Sequence, residues 1–165
     1  MRTLVVVESI WGNAEAIGRA IAAGIGGTVD VVTAEDAPRA IPAGVDLVVV
    51  GGPAHVFSMT SVMTRESARR QGATIIPSRG IREWIDGLPR LERRVLVATF
   101  EIRTVSPRLP GSAAKIAMKR LIERGLKPAA KPETFHAHDH EDPVGEGELT
   151  RATEWGAALA RDVSV

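Results

Sequence analysis

The 165-residue sequence contains no cysteine and no tyrosine, and only three phenylalanines and three tryptophans. Without thiols there can be no disulfide, no thiolate metal ligand and no cysteine nucleophile, a composition suited to a reducing compartment. No apolar run approaches the roughly 20 residues that span a bilayer, and Met1–Val7 is too short and wrongly flanked for a secretory signal. A cytoplasmic protein with no membrane contact is the expectation by elimination. An excess of one charge is missing as well: 21 Lys and Arg stand against 20 Asp and Glu, for a net +1. Nucleic-acid binders carry a larger, clustered basic excess. Here the basic stretches 90–94 and 115–127 are interleaved with Leu, Ile and Ala, and read as solvated faces of core-packed elements. The Gly-x-Ser-x-Gly elbow of hydrolases and the Gly-x-x-x-x-Gly-Lys loop of triphosphatases are both absent.

What the sequence does hold is a globular composition, 44% hydrophobic and 25% charged, in a length that suits one domain over residues 1–165. Apolar runs alternate with helical periods throughout. Thr3–Val7 is a β-branched run of the kind buried on both faces. Ala14, Ile17, Ile21 and Ile25 then recur at helical spacing. Gly24–Ile25–Gly26–Gly27 falls at that helix's end and reads as a cap, not a dinucleotide fingerprint. Further strands are expected at Thr28–Val32, Asp46–Val50, Val95–Phe100 and Pro132–His138. Helical character marks 62–70, the stripe Ile81, Trp84, Ile85 and Leu88, a helix capped by Ser112 and closed by Gly125, and a last helix from about Glu146 to Arg161. Trp84 and Trp155 sit on helix stripes as core anchors. Strands alternating with helices predict a parallel sheet covered on both sides. Ligands of such sheets gather beyond the carboxyl ends of the strands, which singles out the loops after Val7, Val50 and Phe100.

The first of these loops, Ser9–Ile10–Trp11–Gly12–Asn13–Ala14–Glu15, carries particular chemistry. Gly12 permits close backbone approach, and a helix starts within a residue or two of Asn13. An anion there meets unpaired N–H groups and the positive end of the helix dipole. Ser9 and Asn13 add side-chain donors. No Lys or Arg lies between Thr3 and Arg19, so a phosphate would be held by neutral donors. The same residues also suit a plain strand–loop–helix turn capped by Asn13.

VVVESIWGNAEAIGRAIAAGI resembles the opening of flavodoxins, which bind flavin mononucleotide through a Ser/Thr-x-Thr-Gly-x-Thr loop. DLVVVGGPAHVFSM resembles their third strand and the flavin loop after it, and VLVATFEIR the fourth strand with the second flavin loop. LPGSAAKIAMKRLIERG and EGELTRATEWGAALA resemble the last two helices of flavodoxin-like proteins from high-GC bacteria. The resemblance implies a three-layer sandwich around a five-stranded parallel sheet of order 2-1-3-4-5. It implies that Ser9, Ile10, Trp11, Gly12, Asn13 and Ala14 surround the phosphate. Pro53, Ala54, His55, Val56 and Phe57 would meet one side of the flavin ring, and Thr99, Phe100, Glu101 and Arg103 the other. It implies electron transfer with a redox partner protein or a small quinone, no acid–base catalyst, and a monomer or homodimer. Two alternatives stand beside the carrier: a flavoprotein like the NAD(P)H:quinone reductases, and a flavodoxin-fold binding or regulatory module that has lost its flavin.

The chain departs from the family's pattern in three ways. Trp11 and Ala14 stand where hydroxyls are usual, no tyrosine is available to stack on the ring, and the strong acidity of ordinary flavodoxins is missing. The segment Ser58–Gly80 matches least. A further cluster, His136, His138 and His140 before Glu141 and Asp142, shares a strand face. Residues two apart on a strand are roughly 7 Å apart, too far for three imidazoles to share an ion without a bend. No metal site is expected.

Overall fold

A computed structural model describes residues 1–54, 59–73, 78–104, 111–139 and 142–164. His55, Val56, Phe57, Ser58, His140 and Glu141 lie outside the described residues. In chain order the elements are β1 (Arg2–Val7), α1 (Asn13–Ile25), β2 (Thr28–Thr33), β3 (Leu47–Pro53), α2 (Val62–Arg70), α3 (Ile81–Gly87), β4 (Leu96–Thr104), α4 (Ala113–Glu123), β5 (Lys127–Pro128), β6 (Glu133–Ala137) and α5 (Glu146–Val163). All pairings are parallel, in the order β2-β1-β3-β4-β5, with β6 also on β4. The expected order 2-1-3-4-5 is the one observed.

The valine-rich runs take the centre because both of their faces can be buried. Val5, Val7, Val49, Ala98 and Phe100 point to the layer made by α1 and α5. Leu4, Val6, Val48, Val50 and Val97 point to the opposite layer, with Trp84, Ile85, Ala117 and Leu121 of α3 and α4. The β2–β3 crossover has no helix. Ala34, Ala37, Ile41 and Val45 bury themselves against this second layer instead, and Trp84 Nε1 donates to the Pro38 carbonyl at 2.8 Å. On the first layer α1 and α5 approach closely through Gly24 and Gly156. A Cβ on either would strike the backbone carbonyl of Thr153 or Ile21. Gly24 is therefore a helix contact, and the cap is Gly26 at φ 68°.

Three boundaries differ from the sequence reading. β3 does not stop at Val50, and β4 does not stop at Phe100. Gly51, Gly52 and Pro53 continue the ladder opposite Phe100, Glu101 and Ile102. Gly51 has no side chain because the Phe100 ring lies across it, where any Cβ would collide, and a Cβ on Gly52 would press on Glu8. The fifth strand is two short pieces: β5 pairs with Leu96 and Val97, and β6 with Phe100–Thr104. Pro128 and Pro132 flank the break, and an edge tolerates residues that cannot donate to a ladder.

α2 stands outside the sandwich and buries only Arg65 and Ala68. Its start is fixed locally, since Ser61 accepts from the Thr64 N–H at 3.2 Å while Thr64 Oγ1 accepts from the Ser61 N–H at 2.8 Å, a capping box. Among the described residues no helix is long and apolar enough to cross a membrane.

Candidate functional site

At the carboxyl end of β1 the chain turns through Gly12, at φ 97° and without a side-chain cap, into α1. The helix's first backbone bond runs from Ala16 N–H to the Gly12 carbonyl at 3.1 Å. The N–H groups of Asn13, Ala14 and Glu15 thus have no helical carbonyl before them. Nothing lies within 4 Å of where a Gly12 Cβ would stand, so the space above the turn is open. Ser9 Oγ is buried with no hydrogen-bond partner among the described residues. A buried hydroxyl left unpaired is uncommon and calls for an explanation. An uncapped helix start, open space and an orphaned donor converge at this turn.

They border a cleft of about 270 Å³ lined by Ser9, Ile10, Trp11, Asn13 and Ala14 of the loop, Pro53 and Ala54 at the end of β3, and Ile102, Arg103 and Thr104 at the end of β4. Ala137 of β6 and Thr64, Ser67, Ala68 and Gln71 from α2 and its end complete the wall. Eight of these, Arg103 among them, are residues that the sequence singled out, as is Gly12 at the turn beside them, so the β1, β3 and β4 loops do meet at one place. His55, Val56 and Phe57 fall outside the described residues.

Three expected residues do not reach the cleft. Thr99, Phe100 and Glu101 are all but fully buried. Thr99 Oγ1 donates to the Ala114 carbonyl at 2.8 Å. Phe100 packs edge-on to Phe135, with ring centroids 6.0 Å apart. Glu101 accepts from the Ser112 hydroxyl, the cap of α4, and lies 3.7 Å from Arg103 Nη1. The cause is the extra length of β4: these residues sit inside the sheet, and the strand meets the cleft only from Ile102. Asn13 lines the cleft, yet its side chain is committed elsewhere. Its Nδ2 donates to the Asp142 carbonyl at 2.8 Å, and its Oδ1 accepts from Val144 N–H at 2.9 Å. The amide ties the β6–α5 loop to α1 and leaves the backbone as the anion-binding part of this residue.

Sequence reasoning missed the contribution of α2 and the residue that anchors it. Glu8, directly before Ser9, is 2% exposed. Its Oε1 accepts from the Ile81 N–H at 2.7 Å, and its Oε2 accepts from the Thr60 hydroxyl. Arg65 Nη1 donates to Thr60 Oγ1 at 3.0 Å, and Nη2 pairs with Glu83. Burial raises the Glu8 carboxyl above its ordinary value, against the lowering pull of Thr60, the Ile81 N–H and Arg65. This chain of bonds fastens Thr60, Arg65 and Ile81, and with them α2 and α3, to the end of β1. The signal was present: Glu8 is the sole charge in the run from Thr3 to Ile10.

On the far edge His136 and His138 are exposed, and among the described residues no group of three acidic or imidazole side chains is placed to hold an ion. The His136 N–H donates to Glu148 Oε2 at 2.7 Å. Arg151 bonds Glu148 and Glu133 and stacks over Phe135 at 4.3 Å. Its hydrogen bonds are the main cause of a lowered Glu148 pKa. This cluster joins β6 to α5.

The layers, the strand order and the cleft at the carboxyl edge define a flavodoxin-like α/β fold. A flavodoxin from the domain Archaea superposes with a TM-score of 0.68 at 18% identity over 100% of both chains. Flavodoxin 1 from Bacillus cereus does so at 0.69 and 16% identity over 98% of each chain. A WrbA-like flavodoxin from Agrobacterium tumefaciens gives 0.60 and 15% identity, over 99% of this chain and 97% of that one. By sequence, no family model and no curated protein matches the chain. Likeness at these identities establishes the fold.

Proposed function

We propose that the chain is a flavin mononucleotide-binding redox protein that exchanges electrons with a partner protein or a small quinone. One observation carries the reading: the buried, unpartnered Ser9 Oγ beside an uncapped helix start that opens on the cleft. That set fits a phosphate monoester. Ser9 Oγ and the free N–H groups of Asn13, Ala14 and Glu15 are the donors, and the helix dipole adds attraction. Pro53, Ala54 and Ile102 give the cleft apolar walls, and these keep water from the less polar part of the ligand. When bound, the flavin supplies the redox chemistry; the chain supplies binding and orientation. Trp11 and Ala14 remove side-chain donors and leave the backbone donors intact.

Titration of the purified protein with flavin mononucleotide and with riboflavin tests this. The phosphate-bearing ligand should release heat and quench its fluorescence on binding, and should bind more tightly than riboflavin. Colourless protein that takes up neither ligand refutes the reading. The rival, a flavin-free binding module, gains support from the burial of Phe100, which removes a β4 aromatic from the cleft. The same titration separates the two. If flavin binds, redox titration then divides a one-electron carrier, with two separate potentials, from a hydride acceptor with a single two-electron step.

A further inference from the structure

Resting on the flavin reading, we propose that α2 supplies a second wall of donors, Ser67 and Gln71, for the phosphate–ribityl end of the ligand, in place of the hydroxyls that Trp11 and Ala14 lack. α2 is set against the loop by an apolar contact of its own, in which Ile10, Ala68 and Ala73 form a small buried cluster with Trp11 packed on it. Residues 64, 67 and 68 share one side of the helix, Gln71 is its C-cap, and all four line the cleft. Ala68 is the contact with the loop, and Ser67 and Gln71 flank it. The Thr64 hydroxyl is spent in the capping box with Ser61. The side chains of Ser67 and Gln71 have no hydrogen-bond partner among the described residues.

The charges of α2 are sorted to match. Glu66, Arg69 and Arg70 are exposed and off the cleft, and Arg65 is buried in the Glu8 network. The side facing the loop is neutral and rich in donors, as the loop itself is. Ser67 and Gln71 are exposed, so they carry no packing load, and at Ser67, inside the helix, alanine is the better helix former and would serve a merely structural role at least as well.

The test is fluorescence titration of Ser67→Ala, Gln71→Ala and the double variant with flavin mononucleotide and riboflavin, with far-ultraviolet dichroism to confirm the fold. Each single change should weaken binding of the mononucleotide about tenfold, the effect of one hydrogen bond to a charged acceptor. The ³¹P resonance of the bound ligand should move if the donors meet the phosphate, and riboflavin should lose affinity in parallel if they meet the ribityl chain. Ser67→Thr, which keeps the hydroxyl, should restore most of the loss. A folded double variant that binds the mononucleotide within twofold of the parent overturns the proposal and leaves the flavin reading standing. A flat titration of the parent protein overturns both.

Discussion

Replacing Glu8 separates two things that its carboxylate does, accepting bonds and carrying charge. In Glu8→Ala the buried Ile81 N–H loses its acceptor at 2.7 Å and the Thr60 hydroxyl loses its partner. One orphaned buried donor costs about 1–3 kcal/mol, and breaking a buried charged network from one side about 3–5 kcal/mol. The two figures overlap, so the second is the expected total. At about 2–4 °C per kcal/mol for a chain of this size, the melting temperature should fall by about 10 °C. Glu8→Gln keeps an oxygen for Ile81 and sheds the charge that burial penalises, so its loss near neutral pH should stay within about 1 kcal/mol.

Dependence on pH supplies the stricter test. The folded carboxyl holds its proton above the ordinary value of 4.5. Its stabilising share is therefore complete below that ordinary value and is lost as pH rises through the raised one. Glu8→Gln has no such loss, so its stability relative to the parent should improve from pH 5 to pH 8 in urea unfolding. Because the network also fastens α2 beside the cleft, Glu8→Ala should bind flavin mononucleotide more weakly, while Glu8→Gln should bind it nearly as the parent does. Alanine and glutamine variants of equal stability, or a glutamine variant that loses ground at pH 8, would refute this account.

Three further perturbations probe the loop and its supports. Gly12→Ala meets no atom within 4 Å, so its cost to folding should be only the left-handed backbone, about 1–2 kcal/mol; equilibrium unfolding measures this, and a much larger loss would mean the turn is packed. Asn13→Ala should orphan the buried Val144 N–H and cost about 1–3 kcal/mol, with faster amide exchange at Val144 as the local signature. Glu148 has a lowered pKa, owed first to its hydrogen bonds from Arg151. Its share of stability is present above the ordinary value of 4.5 and lost as pH falls through the lowered one. Glu148→Gln should therefore flatten the fall in melting temperature between pH 5 and pH 3.

The sheet was legible because its central strands are buried on both faces, and Thr3–Val7 and Asp46–Val50 read as unbroken apolar runs. Ser112 was legible for a different reason: a helix start needs an oxygen acceptor, and it supplies one to the backbone N–H three residues on. Gly51 and Gly52 misled because glycine pairs punctuate turns far more often than they admit a ring from the next strand. That misreading moved the end of β4. With it went the placing of Thr99, Phe100 and Glu101, which stand buried within the sheet instead of beyond its carboxyl edge.

The loop was legible because every group that makes it an anion site is adjacent in sequence. The opposing wall was not, because Ser67 and Gln71 stand more than fifty residues from Ser9, and only the path that α2 takes in the fold brings them there. What fixes that path is a single carboxylate at the end of β1, bonded to Thr60 and Ile81 on either side of α2. Glu8 and Ser9 are consecutive. Just past the end of β1, one side chain reaches the anchor of α2 while the other lines the cleft. The end of β1 therefore sets both walls at once, and a change that loosens Glu8 should be felt at Ser9 as weaker binding before it is felt as unfolding.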